Sequence, residues 1–141
     1  MSEGERGSAV VEFVVVGMGL LVPLLYLALA FSAVQRTAFG VTQAAREAGR
    51  AYVTGTVVTA PARAEAAARL ALADQGVPAD GVQVRYGTAD CATAGAAPRP
   101  LRPGEVLVVC VTAPLPGFPP VGRDTVTGRH VVRADAHRDY G

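Results

Sequence analysis

An uncharged run of 22 residues, from Phe13 to Val34, constrains this chain of 141 residues more than any other feature. Its only polar side chains are those of Tyr26 and Ser32. As a helix with a rise of about 1.5 Å per residue, the run would extend about 33 Å, enough to cross a hydrocarbon core about 30 Å thick. The remaining chain, about a hundred residues, is too small to cover such a helix on every face. We therefore predict a transmembrane helix rather than a buried core helix.

A cleaved signal peptide is the main alternative for this N-terminal run. Signal peptides have a basic n-region, an apolar core of about 7 to 15 residues and a small-residue cleavage site. The n-region here contains Glu3, Glu5 and only Arg6, and the core is too long. Cleavage after residues 28–30 or 31–33, Ala-Leu-Ala or Phe-Ser-Ala, would remove the helix.

Pro23 lies inside the predicted membrane helix. Its ring would press on the carbonyl of Gly19 and remove one backbone hydrogen bond. Transmembrane helices tolerate such breaks when neighbouring groups satisfy the freed carbonyl. We predict a kink at Gly19 and Pro23.

Two helical patterns follow the apolar run. In the first, small and apolar residues recur at helical spacing, so the helix should continue as an amphipathic stalk to about Val53; these residues are Ala38, Val41, Ala45, Ala48 and Tyr52. The second helix is predicted from about Ala62, with Pro61 at its first position and Gly76 as its stop. Glu65 and Arg69 form an i,i+4 pair in it.

Three strands are predicted in the last third of the chain. Val82, Val84 and Tyr86 alternate with polar residues, which is typical of a half-buried strand. Glu105 to Ala113 is apolar on both faces and should form the central strand, and Thr127 to His137 is the third. Loops rich in Pro and Gly connect them, including residues 98–104 and 114–120. The predicted fold class is α+β: a long N-terminal helix, a short helix and a small antiparallel sheet.

The two cysteines are Cys91, after the first predicted strand, and Cys110, within the second. A hairpin could bring them together, and closing a loop of about 20 residues would stabilise the fold by roughly 3 kcal/mol. We predict a disulfide, with two buried free thiols as the alternative.

The composition excludes most of the common catalytic mechanisms. Lys and Asn are absent, and all three serines lie at or before Ser32, so the outer region has no serine nucleophile, P-loop or Schiff-base lysine. The net charge of +1 and the scarcity of aromatic residues argue against nucleic-acid binding. We expect no enzymatic activity, cofactor or metal.

The one weak candidate for a metal site is a set of alternating residues near the C-terminus. On a strand, Asp135, His137 and Asp139 would share a face, but Arg133 shares it too and opposes a cation. Charges that protect an exposed strand edge are the better interpretation.

Glu12 is the residue that points to a function. A carboxylate drawn into hydrocarbon costs on the order of 2 to 3 kcal/mol or more, so such residues are functional candidates. The alternative is that Glu12 lies at the interface and interacts with the helix dipole.

The segment Arg6-Gly7-Ser8-Ala9-Val10-Val11-Glu12-Phe13 before an apolar helix resembles the class III signal of type IV pilins. More narrowly, it resembles the opening of TadE-like proteins, the minor pilins or pseudopilins of the tight-adherence (Flp) pilus system. The resemblance implies that prepilin peptidase cuts between Gly7 and Ser8. It also implies that Glu12, followed by Phe13, pairs in subunit assembly with the free amine of a neighbouring subunit.

The resemblance implies a leader over residues 1–7, a transmembrane helix over 8–36 and an extracytoplasmic stalk and α+β head over 37–141. The partners would be the membrane, other pilin subunits, the pilus assembly machinery and prepilin peptidase. Arg36, Arg46 and Arg50 outnumber Arg6, which by arginine count favours the opposite orientation. The stalk, the Pro-rich loops and the cysteine pair suit an outside head, and we predict a single-pass protein with a cytoplasmic N-terminus. A single-pass envelope protein with a ligand-binding head unrelated to pili is the alternative.

Overall fold

The computed structural model describes residues 3–115, 124–138 and 140. It contains helix α1 (Glu3–Val53), helix α2 (Ala60–Asp74) and strands β1 (Gln83–Gly87), β2 (Val106–Pro114) and β3 (Thr125–Arg133). This order confirms the predicted α+β fold with a long helix, a short helix and three strands. The chain forms two compact units, one ending at Ala33 and the other beginning at Val34.

Helix α2 starts and stops at the residue types predicted to mark its ends. Pro61 lies in its first turn, and the helix begins at Ala60, two residues before the predicted start. Proline is compatible with the first turn because the N–H that it lacks would have no partner there. At the other end Gly76 has φ +66°, and the Val77 N–H donates to the carbonyl of Leu72 at 2.9 Å. The Glu65–Arg69 pair forms at 2.7 Å on the exposed face.

The sheet is antiparallel in the order β1-β2-β3, with β2 in the centre. Both faces of β2 are buried, which confirms the prediction from its continuous apolar sequence. One face, with Leu107, Val109 and Val111, joins the main core, and the other, with Val108 and Cys110, joins a smaller cluster.

The two helices contribute mainly small side chains to the main core. In the second unit α1 buries Ala44, Ala45 and Ala48, and α2 buries an alanine at every fourth position from Ala60 to Ala68. Small residues let helix and sheet backbones approach closely. The approach is very close at Gly128 of β3, where an added Cβ would overlap the backbone of Val41. The amphipathic pattern of the stalk is thus confirmed, although Ala38 is only half-buried.

Strand β3 differs from its prediction at both ends. It begins two residues earlier than Thr127, and it ends at Arg133 rather than His137. The earlier end at Arg133 has a local cause, a turn in which the Asp135 carboxylate accepts the His137 N–H at 2.9 Å and the Asp135 N–H donates to the Tyr140 hydroxyl at 2.8 Å. Asp side chains compete for backbone donors in this way and end strands. Residues 116–120 of the second Pro-rich loop lie outside the described residues.

Candidate functional site

The first unit has a long exposed apolar surface, which begins at Ala9. Every side chain from Ala9 to Leu29 is exposed, and the most apolar 18-residue window has mean hydropathy 2.5 with none of it buried. Within the described residues, one helix is thus long and apolar enough to cross a membrane. A signal sequence would have the same properties. A core helix of a soluble protein would be mostly buried, whereas none of this window is.

Glu12 is the one charged residue between Ala9 and Ala33. It lies in α1 on the exposed surface, between Val11 at 63% and Phe13 at 79% exposure. Residue 8 precedes it by one helical turn, an axial rise of about 6 Å. A carboxylate set among exposed apolar side chains needs a cation or a hydrogen-bond donor if that surface enters a low dielectric.

Gly17 and Gly19 interrupt the row of exposed apolar side chains on α1. Gly17 and Gly19 would each have nothing within 4 Å of an added Cβ. The two glycines are two residues apart and lie on nearly opposite faces of the helix, so each leaves a small gap in the apolar surface on its own side. Helix α1 is continuous through Pro23, and the kink predicted at Gly19 and Pro23 stays a prediction.

In the second unit a disulfide joins Cys91 to Cys110, as predicted. The S–S distance is 2.03 Å and the Cα atoms are 5.7 Å apart. Cys110 is fully buried in β2, and Cys91 lies in the loop after β1. The same loop returns to the sheet at Gly95, which exchanges two backbone hydrogen bonds with Tyr86. The loop that covers the outer face of β2 is therefore held at two points.

Tyr52, near the end of α1, fixes a second loop. Its hydroxyl donates to the carbonyl of Arg99 at 2.7 Å and accepts the Arg99 N–H at 2.9 Å. Its ring packs on Tyr86, with centroids 4.6 Å apart. Burial raises the pKa of the Tyr52 phenol above its ordinary value, and burial likewise raises the pKa of Tyr86. Burial thus favours the neutral form of both phenols over the phenolate.

The C-terminal residues do not form the strand face on which a metal site was considered. Asp135 and His137 follow the end of β3, and their contacts are those of a turn. Asp139 lies outside the described residues. Across residues 3–115, 124–138 and 140, no three His, Cys, Asp or Glu side chains are grouped as metal ligands would be.

The described residues form an α+β unit preceded in the chain by one candidate membrane-spanning helix, in which Glu12 is the one charged residue between Ala9 and Ala33. Comparison with protein-family models, curated proteins and solved structures found no match to the chain.

Proposed function

We propose that this protein is a membrane-anchored minor pilin or pseudopilin, similar to TadE-like proteins, that takes part in assembling a Tad (Flp) type IV pilus or a related secretion apparatus. It acts by helix packing and has no catalysis of its own. Glu12 carries the proposal: it is the one charged residue between Ala9 and Ala33, lies on the exposed apolar surface of α1 and follows Gly7 by five residues.

The proposed chemistry follows from cleavage between Gly7 and Ser8. Cleavage would give Ser8 a free amine, positively charged near neutral pH. In a low dielectric, the amine of one subunit and the Glu12 carboxylate of its neighbour would relieve each other's desolvation. Such a pair fixes the axial register between two apolar helical segments that carry no other charge. Gly17 and Gly19 lie on nearly opposite faces, so either one would let a neighbouring helix approach closely on its own side.

The disulfide supports the proposed orientation. Disulfides persist in oxidising compartments, so the Cys91–Cys110 bond favours a head outside the cytoplasm. The N-terminus would then be cytoplasmic, where prepilin peptidase and the assembly machinery meet the leader. The three arginines after the apolar run oppose this orientation. The disulfide is the stronger indicator of orientation because its formation depends directly on the compartment.

Replacing Glu12 by Ala tests the proposed role in cells that carry the variant as their only copy. Insertion into the membrane should be unchanged, because the substitution removes a charge that is costly in hydrocarbon. Assembly should be lost, because the neighbour's amine is left without its partner. Membrane fractionation measures insertion, and immunoblotting of sheared surface filaments measures assembly.

Val11→Ala is the matched control, since Val11 is the adjacent exposed residue and carries no charge. It should insert and assemble normally. Normal pili in the Glu12→Ala cells would remove the proposed role of the carboxylate. Loss of pili in both variants would show that the segment tolerates no change and would contradict a specific role for the charge.

A further inference from the structure

A groove of about 380 Å³ lies on the surface of the second unit, between α1 and α2. Its apolar part includes Leu70, whose side chain is 66% exposed. Glu47 and Asp74 also line it, and Gln43 donates to the Glu47 carboxylate at 3.0 Å. We call this lining the acidic groove. It combines an exposed apolar side chain with two negative charges.

A surface of opposite charge lies on β3. Alternate residues of a strand point to the same face, so Arg129, Val131 and Arg133 project together. All three are exposed, Val131 at 46%, and Arg129 uses one N–H to donate to the carbonyl of Ala89 at 2.9 Å. Four residues of strand place the two arginine Cα atoms about 13 Å apart, with the valine between them. We call Arg129, Val131 and Arg133 the basic strip.

We propose that the basic strip of one copy docks in the acidic groove of a second copy. Val131 packs against Leu70, and the two arginines approach Glu47 and Asp74. Two positive charges meet two negative ones, which selects the partner and its register. Packing around the paired valine and leucine excludes water, which makes the charge pairs stronger than exposed pairs.

The two surfaces are different parts of the same chain, so the contact is heterologous. Each copy offers its groove to one neighbour and its strip to another, which produces an open series of subunits rather than a closed pair. The contact is separate from the proposed pairing of Glu12 with an N-terminal amine. It goes beyond the proposed function because it assigns an assembly surface to the head.

The first test places a photoreactive benzoylphenylalanine at position 70 in the full-length protein, reconstituted in lipid vesicles. Isotope-labelled and unlabelled chains are mixed, so that cross-links between copies are recognised by mass. The expected product joins residue 70 of one copy to the peptide that contains Val131 of another. The yield should fall as salt is raised, because charge pairs contribute to the contact.

The second test reverses the charges of the acidic groove in one variant and those of the basic strip in another. The groove variant, Glu47→Arg with Asp74→Arg, should lower the yield between identical chains by about tenfold, and so should the strip variant, Arg129→Glu with Arg133→Glu. Mixing the two variants should restore the yield when the groove variant carries the photoreactive residue, because its groove then faces a strip of opposite charge.

The matched control for charge exchange is Glu65→Arg with Asp80→Arg. It makes the same change in net charge outside the groove, at two exposed positions. The yield between identical chains of this variant should stay within about twofold of the wild type, because neither position lies in the contact.

Cross-links from residue 70 to another surface of the second copy would overturn the proposal, as would no cross-link between copies. Failure of the charge-exchanged mixture to recover would also overturn it. These results are distinguishable from failure of the proposed function. A Ser8 N-terminus with an assembly defect in Glu12→Ala would leave that function standing without this contact. An intact Met1 together with the expected cross-link would contradict the proposed function and leave this contact standing.

Discussion

At the scale of single residues, Tyr52 joins the end of α1 to the loop at Arg99 through two hydrogen bonds. Tyr52→Phe keeps the ring contact with Tyr86 but leaves both backbone groups of Arg99 without that partner. We expect a loss of about 1–3 kcal/mol in the free energy of unfolding, measured by denaturant in detergent micelles. Val58→Ala, at a side chain that is 86% exposed, is the control. Equal midpoints for Tyr52→Phe and the control would contradict this account.

The same phenol and that of Tyr86 make stability depend on alkaline pH. Both pKa values are raised on folding because burial disfavours the phenolate. Their contribution is therefore fully present below the unfolded value of about 10 and is lost as pH rises through the folded values. The denaturation midpoint of the wild type should fall as pH is raised above about 10. The decrease should be smaller in Tyr52→Phe with Tyr86→Phe, and an identical decrease would contradict burial of the phenols.

At the scale of elements, the contact between α1 and β3 depends on Gly128. Its Cβ position is occupied by the backbone of Val41, which cannot move aside as a flexible side chain could. Gly128→Ala should therefore destabilise the second unit by about 1–3 kcal/mol or more, measured by thermal unfolding. Gly95→Ala is the matched control, because its nearest atom outside the adjacent residues is 4.0 Å away. A Gly128→Ala variant as stable as the control would show that α1 does not lie this close to the strand.

The disulfide acts between elements, since it joins the loop after β1 to the buried centre of β2. Reduction should lower the free energy of unfolding by roughly 3 kcal/mol, because the loop of about 20 residues is then open in the unfolded chain. Alkylation and mass analysis of protein taken from the cell envelope, without reductant, should find neither thiol modified. Two alkylated cysteines would contradict the disulfide and weaken the proposed orientation.

Much of the element order was predictable because it depends on local pattern. Val106–Pro114 is apolar on both faces, and Gly76 takes the positive φ that ends α2. Features that join distant parts of the chain were not predictable. The Tyr52–Arg99 bonds span 47 residues, and the need for Gly128 appears only when α1 lies on β3. The end of β3 was missed because a single Asp135 side chain redirects the backbone.

The candidate site was also predictable only where it depends on local sequence. Glu12 and the apolar run could be read from sequence because charge and length alone make them unusual in a helix. The acidic groove could not be predicted from sequence, because Glu47 and Asp74 come from different helices and no local sequence pattern marks either residue.

At the scale of the whole molecule, the central claim is the proposal that the apolar helix is an assembly element whose N-terminal amine, at Ser8, is freed by removal of residues 1–7. N-terminal sequencing of the protein extracted from membranes tests it most directly. We expect a mature chain that begins at Ser8 and keeps Glu12 as its fifth residue. A chain that begins at Met1 or Ser2, or one that has lost the apolar run, would contradict the claim.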